Sequence, residues 1–234
     1  MSRSMYQPTL CRPQAFHLFR RQLPVLETTE GLLYGSLAIA MHALEDVSVA
    51  EVDRRLAELS LRVRARLRSH ALAARLAHLH DVLFEEEGFH GNQDNYYDPA
   101  NSYLPRVLEQ RSGIPITLSL VYKVVAEQLD LRVEGVNAPG HFLVRVMTDE
   151  GWMLVDPYYR GGVLTDEEAY ERMEQVTGRA VPRVGKYLGK ASHAQWLSRM
   201  LVNLQHIFAV QDRRQDLAAM SELQSLLDHH QSAR

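Results

Sequence analysis

Residues 139–159, PGHFLVRVMTDEGWMLVDPYY, carry the strongest structural signal in this chain. Two apolar runs of strand-forming residues flank the polar stretch TDEG, a pattern that is typical of a β-hairpin. If residues 147–150 form the turn, Val146 faces Gly151 and His141 lies directly opposite Asp156. The Cβ atoms of such a pair are about 4.5 to 5.5 Å apart, which puts the imidazole and the carboxylate within hydrogen-bonding reach.

The expected His141–Asp156 pair has two interpretations. In a catalytic site the carboxylate fixes the imidazole tautomer and stabilises its cation, so that the ring can take a proton from a nucleophile. In a structural role the pair is a satisfied polar contact that closes the open end of the hairpin. Both interpretations depend on the register, because a slip of one residue puts the two side chains on opposite faces of the sheet.

The segments before the hairpin are helical. Apolar residues recur at three- and four-residue spacing between residues 15 and 88, which predicts several packed helices. Residues 88–102, GFHGNQDNYYDPANS, predict a loop that packs on the body through its aromatic residues. Pro115 suits the first position of the next helix. Its residues 116–130, ITLSLVYKVVAEQLD, are apolar on almost every side and predict a central, buried helix.

The period of the apolar residues changes to that of strands after residue 130. The runs LRVEGV, HFLVRV and WMLVD predict a small antiparallel sheet, so the fold class is α+β with the helices first. Two amphipathic segments after residue 192, separated by the polar turn DRRQ, predict a C-terminal helical hairpin. We therefore expect an N-terminal helical region (1–88), a core (89–186) and a C-terminal helical pair (187–234).

The composition argues against several classes of function. The formal net charge of -3 at pH 7 gives no general attraction to nucleic acid or to anionic lipid, so we expect neither nucleic acid nor membrane as a partner. No apolar run approaches the roughly 20 residues of a membrane helix, and the first residues lack the apolar core of a secretory signal, which predicts a cytoplasmic protein. The single cysteine, Cys11, excludes an internal disulfide and a cysteine-rich metal site. We expect no metal and no cofactor.

Three separated blocks of the sequence resemble a known family. They are GFHGNQDNYYDPANSYLPRVLEQRSGIPITLSLVY at residues 88–122, VNAPGHFLVRV at 136–146 and LVDPYYRGGVL at 154–164. In this order they resemble the SirB-type family of the transglutaminase-like superfamily. The resemblance implies a papain-like core, in which a central helix packs on an antiparallel sheet, followed by a tetratricopeptide-like pair of C-terminal helices.

The resemblance also implies a catalytic triad that lacks one member. Active members of the superfamily carry a Cys at the N-terminus of the central helix, a His on one strand and an Asp on the next. The His and the Asp fall on His141 and Asp156. The pattern of a Gly, any residue and the Cys falls on Gly113, Ile114 and Pro115, so that a proline stands at the position of the nucleophile.

Three other side chains are candidates for the missing nucleophile. Thr117 lies two positions after Pro115, and Ser119 lies one turn deeper in the same helix. A small polar residue in such a helix more often has a packing role. Cys11 belongs to the N-terminal lead, which nothing in the sequence places at the start of the central helix, and we interpret it as an inert thiol.

Two functions remain open at this point. We favour a non-catalytic scaffold that binds a protein or a peptide. The alternative is an amide-bond hydrolase or acyl transferase, with His141 as general base, Asp156 orienting it, and Thr117, Ser119 or a water as the attacking group. A hydroxyl or water within about 3.2 Å of the imidazole, in an open cleft, supports the enzyme. An imidazole buried under Trp152 or under the aromatic loop argues against it.

Overall fold

The computed structural model describes residues 7–69 and 71–233. The first six residues, which belong to the stretch considered above for a secretory signal, lie outside these ranges. Within the described ranges, no helix combines the length and the apolar character that crossing a membrane requires.

Most of the described chain is helical, as the sequence predicts. The helices are α1 Pro13–Gln22, α2 Thr29–Ala43, α3 Val49–Arg64, α4 Leu72–His80, α5 Leu104–Gln110, α6 Pro115–Glu127, α7 Asp166–Thr177, α8 His193–Val210 and α9 Arg214–Ser232. A π-helical turn, Asp81–Glu86, continues α4. Full capping boxes begin α7, through Thr165 and Glu168, and α8, through Ser192 and Gln195. These boxes satisfy backbone N–H groups that the helix itself leaves unpaired.

Helix α6 is the central helix that the sequence predicts. It begins at Pro115, where the missing N–H of proline removes no hydrogen bond of the helix. All residues from 115 to 126 are buried, which agrees with a helix that is apolar on almost every side. Helices α3 and α5 and strands β3 (Val133–Val136) and β4 (Leu143–Thr148) pack around it.

The antiparallel sheet has four strands in the order β3-β4-β5-β6, in which β5 is Gly151–Asp156 and β6 is Gly162–Leu164. Strands β3 to β5 are those that the periodicity predicts. Strand β6 was not predicted; it is only three residues long and pairs with the end of β5 after a 3-10 turn at Pro157–Tyr159.

The predicted register of the β4–β5 hairpin is wrong by two residues. Thr148 pairs with Gly151, so the turn contains two residues instead of four, and Val146 faces Met153 instead of Gly151. The Thr148 hydroxyl donates to the carbonyl oxygen of Gly151 at 2.8 Å, and Gly151 adopts a φ of 115° that favours glycine. A shift of two residues leaves every side chain on its original face, so the expected contact between His141 and Asp156 is preserved.

The loop at residues 88–102 packs on the body through short backbone pairings. Strand β1, His90–Gly91, pairs in parallel with β2, Ser112–Gly113, immediately before α6. The buried Asn101 side chain donates to the carbonyl oxygen of Tyr96 at 3.2 Å. These contacts hold the aromatic part of the loop beside the start of α6.

Side chains from all three predicted regions share one hydrophobic core. It includes Phe19 and Leu37 from the N-terminal helices, Val121 from α6, and Trp196 and Leu227 from the C-terminal pair. Helices α8 and α9 therefore form the expected hairpin and pack into the body. The division of the chain at residues 88 and 186 stays a prediction.

Candidate functional site

A tight turn positions His141 just before strand β4. The backbone N–H of His141 donates to the carbonyl oxygen of Ala138 at 3.2 Å, which closes a β-turn. Pro139 at the second position and Gly140, with a φ of 71°, at the third are the residues that a type II turn favours. A Cβ atom on Gly140 would lie 2.8 Å from Thr177 Cγ2. Helix α7 therefore packs directly against the turn and fixes it.

The His141 imidazole and the Asp156 carboxylate form the expected hydrogen bond. The distance from His141 Nε2 to Asp156 Oδ2 is 2.9 Å. The other carboxylate oxygen, Oδ1, accepts from the backbone N–H of Tyr158 at 3.1 Å and, at 3.4 Å, of Tyr159. With the carboxylate as acceptor of this hydrogen bond, Nε2 is the donor nitrogen of the imidazole and Nδ1 is the other ring nitrogen. Nδ1 makes no hydrogen bond within residues 7–69 and 71–233.

Tyrosine side chains cover this pair. His141 is 3% exposed and Asp156 is 0% exposed. The rings of Tyr158 and Tyr159 lie with their centroids 5.9 and 6.2 Å from that of His141. Tyr96 from the aromatic loop contacts Tyr158 at 6.2 Å between centroids. The imidazole is therefore enclosed by aromatic rings instead of lining an open cleft.

Trp152 packs against a different group of side chains. Its ring lies under the guanidinium groups of Arg132 and Arg145, 5.0 and 4.4 Å from its centroid. Both arginines also form ion pairs with the buried Glu134. The cover over His141 thus comes from tyrosines.

The start of α6 offers no nucleophile in contact with the imidazole. Pro115, the first residue of the helix, has no reactive group. Thr117 and Ser119 are fully buried, and within the described parts of the chain their hydroxyl oxygens have no hydrogen-bond partner. The structure therefore brings neither hydroxyl into hydrogen-bonding contact with His141.

Trp196 of α8 joins the start of α6 to the sheet. Its indole N–H donates to the carbonyl oxygen of Ile116 at 3.2 Å, and its ring packs 4.6 Å from that of Phe142, the residue after His141. A Cβ atom on Gly135 of β3 would lie 2.3 Å from Trp196 Cζ3, so only glycine leaves room for the indole. The C-terminal helices therefore help to fix both sides of the site.

The thiol of Cys11 is buried, and its environment makes it unreactive. Burial and the negative charge of Glu222 raise the pKa of the thiol to about 12. The backbone N–H of Cys11 also donates to Glu222 at 2.9 Å, which ties the N-terminal lead to α9. A thiol with this pKa is neutral at physiological pH and is a poor nucleophile.

Outside this site, His80 is the histidine with the most strongly shifted pKa in the described residues. Its Nε2 lies 2.9 Å from Tyr122 Oη, and burial lowers the pKa of His80 to about 4. In the described ranges, no group of three or more His, Cys, Asp or Glu side chains is arranged to hold a metal ion.

We expect His80 to make the unfolding of this protein pH-dependent. Its pKa is about 4 in the folded state and about 6.5 in the unfolded chain, so the unfolded chain binds the proton more tightly. The stability that comes from the neutral ring is present above pH 6.5 and is lost as the pH falls towards 4. About 2 kcal/mol should be lost between pH 7.5 and 5.

Urea unfolding of wild type and of His80→Gln at these two pH values measures this effect. The substitution should flatten the dependence of unfolding free energy on pH, while His78→Gln, at a half-buried position two residues away, should not. An unchanged slope in His80→Gln would show that His80 is not buried in its neutral form.

The part of the chain that holds this site matches a family model. The model of the transglutaminase-like superfamily matches residues 50–202, which is more than half of the chain. The chain belongs to the transglutaminase-like superfamily. The residues of this chain that match the superfamily model include Pro115, His141 and Asp156. No solved structure matches the chain.

The curated relatives of this transglutaminase-like chain have names that state no activity. A UPF0162 protein of Xylella fastidiosa is 40% identical over 142 residues, 59% of this chain and 50% of the relative. A UPF0162 protein of Pseudomonas aeruginosa is 32% identical over 197 residues, 84% of this chain and 71% of the relative. Human F-box only protein 21 is 34% identical over 155 residues, 63% of this chain and 23% of the relative. The chain thus spans about half the length of the Xylella relatives.

The residues that surround the His141–Asp156 pair were not predicted from the sequence. Tyr158 and Tyr159 directly follow Asp156 in the chain, and this proximity was the available signal for their role. Trp196 has the appearance of an ordinary apolar residue in an amphipathic helix. Its contact with the start of α6 depends on how α8 packs, which no local pattern reveals.

Proposed function

We propose that this chain is a non-catalytic transglutaminase-like protein that binds a peptide, or a peptide segment of a protein, beside His141. The observation that carries the proposal is Pro115 at the first position of α6. By resemblance, active members of the superfamily hold their nucleophilic Cys there, where the positive potential of the helix N-terminus favours the thiolate. Proline has no group that attacks a carbonyl carbon.

The environment of His141 supports a non-catalytic role. A general base must lie within about 2.6 to 3.2 Å of the group whose proton it takes, directly or through one water. Within residues 7–69 and 71–233, no side-chain hydroxyl hydrogen-bonds to the imidazole. Thr117 and Ser119 are fully buried in the central helix. A hydroxyl nucleophile therefore has no base in position.

The surface beside His141 has features that suit a peptide ligand. A cavity of about 380 Å³ lies between the aromatic loop and the 3-10 turn and is lined by residues 90–94 and 158–160. This volume is typical of ligand-binding pockets. Tyr159 is 39% exposed and presents a ring together with a polar hydroxyl, a combination common at binding surfaces. The turn that carries Tyr159 also provides the N–H groups bound by Asp156.

One observation favours the alternative function, amide-bond hydrolysis or acyl transfer with water as the attacking group. The ring nitrogen Nδ1 of His141 has no hydrogen-bond partner in the described part of the chain. With Nε2 held by Asp156, such a nitrogen can take a proton from a water molecule. The alternative thus retains His141 as base and Asp156 as the residue that orients it.

We also propose assignments that are more specific than membership of the superfamily. The three sequence blocks support the SirB-type family and a tetratricopeptide-like character for α8 and α9. The cytoplasmic location and the absence of nucleic-acid and membrane partners stay predictions from composition. Human F-box only protein 21 is matched over only 23% of its length, which supports a role for this region as one module within larger proteins.

Selection of a random phage-displayed peptide library on the full chain tests the proposed binding. We expect binders whose affinity, measured by calorimetry, falls at least tenfold in Tyr159→Ala. Val210→Ala, at a 76% exposed position in the last turn of α8, serves as the control and should leave binding unchanged. An equal affinity in the two variants would contradict binding at this surface.

Mass spectrometry of the selected peptides after prolonged incubation separates the two functions. Intact peptides support the non-catalytic protein. Cleaved, deamidated or acylated products that disappear in His141→Ala would contradict it and would support the alternative enzyme.

A further inference from the structure

We propose that Arg199 binds a carboxylate group of the ligand beside His141. This inference rests on the proposed peptide-binding function and specifies the chemistry that the ligand presents to the site. The acidic group is either the C-terminal carboxylate of a peptide or the side chain of an Asp or Glu within it.

Two sets of contacts place Arg199 close to the His141 turn. On one side, Arg199 Nη1 donates to Asn137 Oδ1 at 2.9 Å, and Asn137 directly precedes the turn that ends at His141. On the other side, the Tyr96 hydroxyl is near enough to Arg199 to affect its pKa, and the Tyr96 ring packs against Tyr158. Tyr158 itself packs on the imidazole, so Arg199 is linked to His141 through Asn137 on one side and through the two tyrosines on the other.

The charge of Arg199 is not neutralised by a carboxylate of the described residues. Its hydrogen-bond acceptors in those ranges are the neutral amide oxygens of Asn137, at 2.9 Å, and Asn203, at 3.4 Å. These amides orient the guanidinium but leave its positive charge uncompensated. Partial burial lowers the pKa of Arg199, which is the effect of removing a cation from water without an anionic partner. A bound anion would compensate this cost.

The part of the guanidinium that remains free fits a carboxylate. Of its five N–H donors, Asn137 and Asn203 use one on Nη1 and the one on Nε. The second hydrogen of Nη1 and both hydrogens of Nη2 make no hydrogen bond within residues 7–69 and 71–233. Both donors of Nη2 and one donor of Nη1 are therefore left for the oxygens of a carboxylate, the group whose geometry a planar guanidinium matches.

A second cation strengthens the preference for an acidic ligand. The guanidinium of Arg172 stacks on the ring of Tyr159, 3.7 Å from its centroid. In the described ranges, Arg172 has no carboxylate within ion-pairing distance. Tyr159 in turn contacts His141. The region beside the imidazole is thus bordered by two arginines and by tyrosines.

NMR titration of the full-length protein with small probes tests the inference without a peptide partner. We expect acetyl-Gly-Gly with a free carboxylate, or acetyl-Asp amide, to shift the backbone signals of Asn137 and Ala138. The uncharged matches, acetyl-Gly-Gly amide and acetyl-Asn amide, should bind at least tenfold more weakly. The better of the two acids identifies the source of the carboxylate. Tighter binding of inorganic phosphate than of either acid would overturn the assignment.

Three substitutions distinguish a binding role of Arg199 from a structural one. Arg199→Gln should weaken binding of the acid probe at least tenfold. Arg199→Lys keeps the charge but loses the planar pair of donors, so it should weaken this binding less. Arg214→Gln, on an exposed arginine of α9, is the matched control and should bind as wild type does. Wild-type affinity in Arg199→Gln would overturn the proposal.

Asn137→Asp keeps the test decisive if Arg199→Gln fails to fold. An aspartate at this position would neutralise Arg199 from inside the protein, so we expect loss of acid binding together with a higher melting temperature. Unchanged acid binding in this variant would also overturn the proposal. Acid binding without any selected peptide ligand would leave Arg199 as an anion site and contradict the proposed function alone. A peptide affinity that is unchanged in Arg199→Gln would contradict the role of Arg199 alone.

Discussion

Asp156→Ala is expected to lower the free energy of unfolding by about 3 to 5 kcal/mol, because it leaves several buried hydrogen-bond donors without an acceptor. The carboxylate is 0% exposed and accepts hydrogen bonds from His141 Nε2 and from the backbone N–H groups of Tyr158 and Tyr159. Its removal leaves these donors buried and unsatisfied, because the tyrosines and the imidazole exclude water. It also removes the acceptor that begins the 3-10 turn at Pro157–Tyr159. Urea unfolding followed by circular dichroism measures the loss.

Asp156→Asn is the matched control for this prediction. The amide keeps the shape and one acceptor oxygen, so about 1 to 2 kcal/mol should be lost. A loss below about 1 kcal/mol in Asp156→Ala would contradict the structural part of the account. It would show that the His141–Asp156 contact does not hold this end of the hairpin, and it would favour retention of the pair for chemistry alone.

The elements that form the site could be predicted because each has a local cause. Pro115 followed by residues that are apolar on every side predicts a buried helix that begins there, and the structure has it. Pro139 and Gly140 predict a sharp turn, and the type II turn before His141 has the positive φ at Gly140 that favours glycine. The hairpin was predicted with the wrong register, because the hydrogen bond from Thr148 to Gly151 shortens the turn. Because the error is two residues, each side chain of the two strands still lies on its predicted face of the sheet.

The surroundings of the site could not be predicted, because they depend on contacts between distant segments. Tyr96 and Tyr158 are 62 positions apart in the sequence and pack together, and Tyr158 contacts the imidazole. Trp196 reaches the carbonyl oxygen of Ile116 across 80 residues. Arg199 lies on a helix whose pattern gives no sign that it borders the site. Because Trp196 belongs to the hydrophobic core, removal of α8 and α9 would expose that core.

We propose, from the resemblance to active members of the superfamily, that His141 and Asp156 are the base-side half of a papain-like site whose nucleophile position holds Pro115. Pro115→Cys tests this claim because it restores the thiol that active members of the superfamily carry. At a helix N-terminus and beside an imidazole, a thiol titrates well below its usual pKa of about 8.5. The wild-type chain should show little alkylation of its own, since the pKa of its single thiol, Cys11, is raised to about 12.

The most direct measurement is the rate at which iodoacetamide alkylates Pro115→Cys between pH 5 and 9. A thiol pKa near 6.5 should make alkylation at pH 6 about tenfold faster than for an unperturbed cysteine, after allowance for the lower nucleophilicity of a more acidic thiol. Addition of His141→Ala should abolish the enhancement, while wild type should not react. Two results would contradict the claim: a thiol pKa of about 8.5 or higher, or an alkylation rate that His141→Ala leaves unchanged. In either case residue 115 would not face the imidazole.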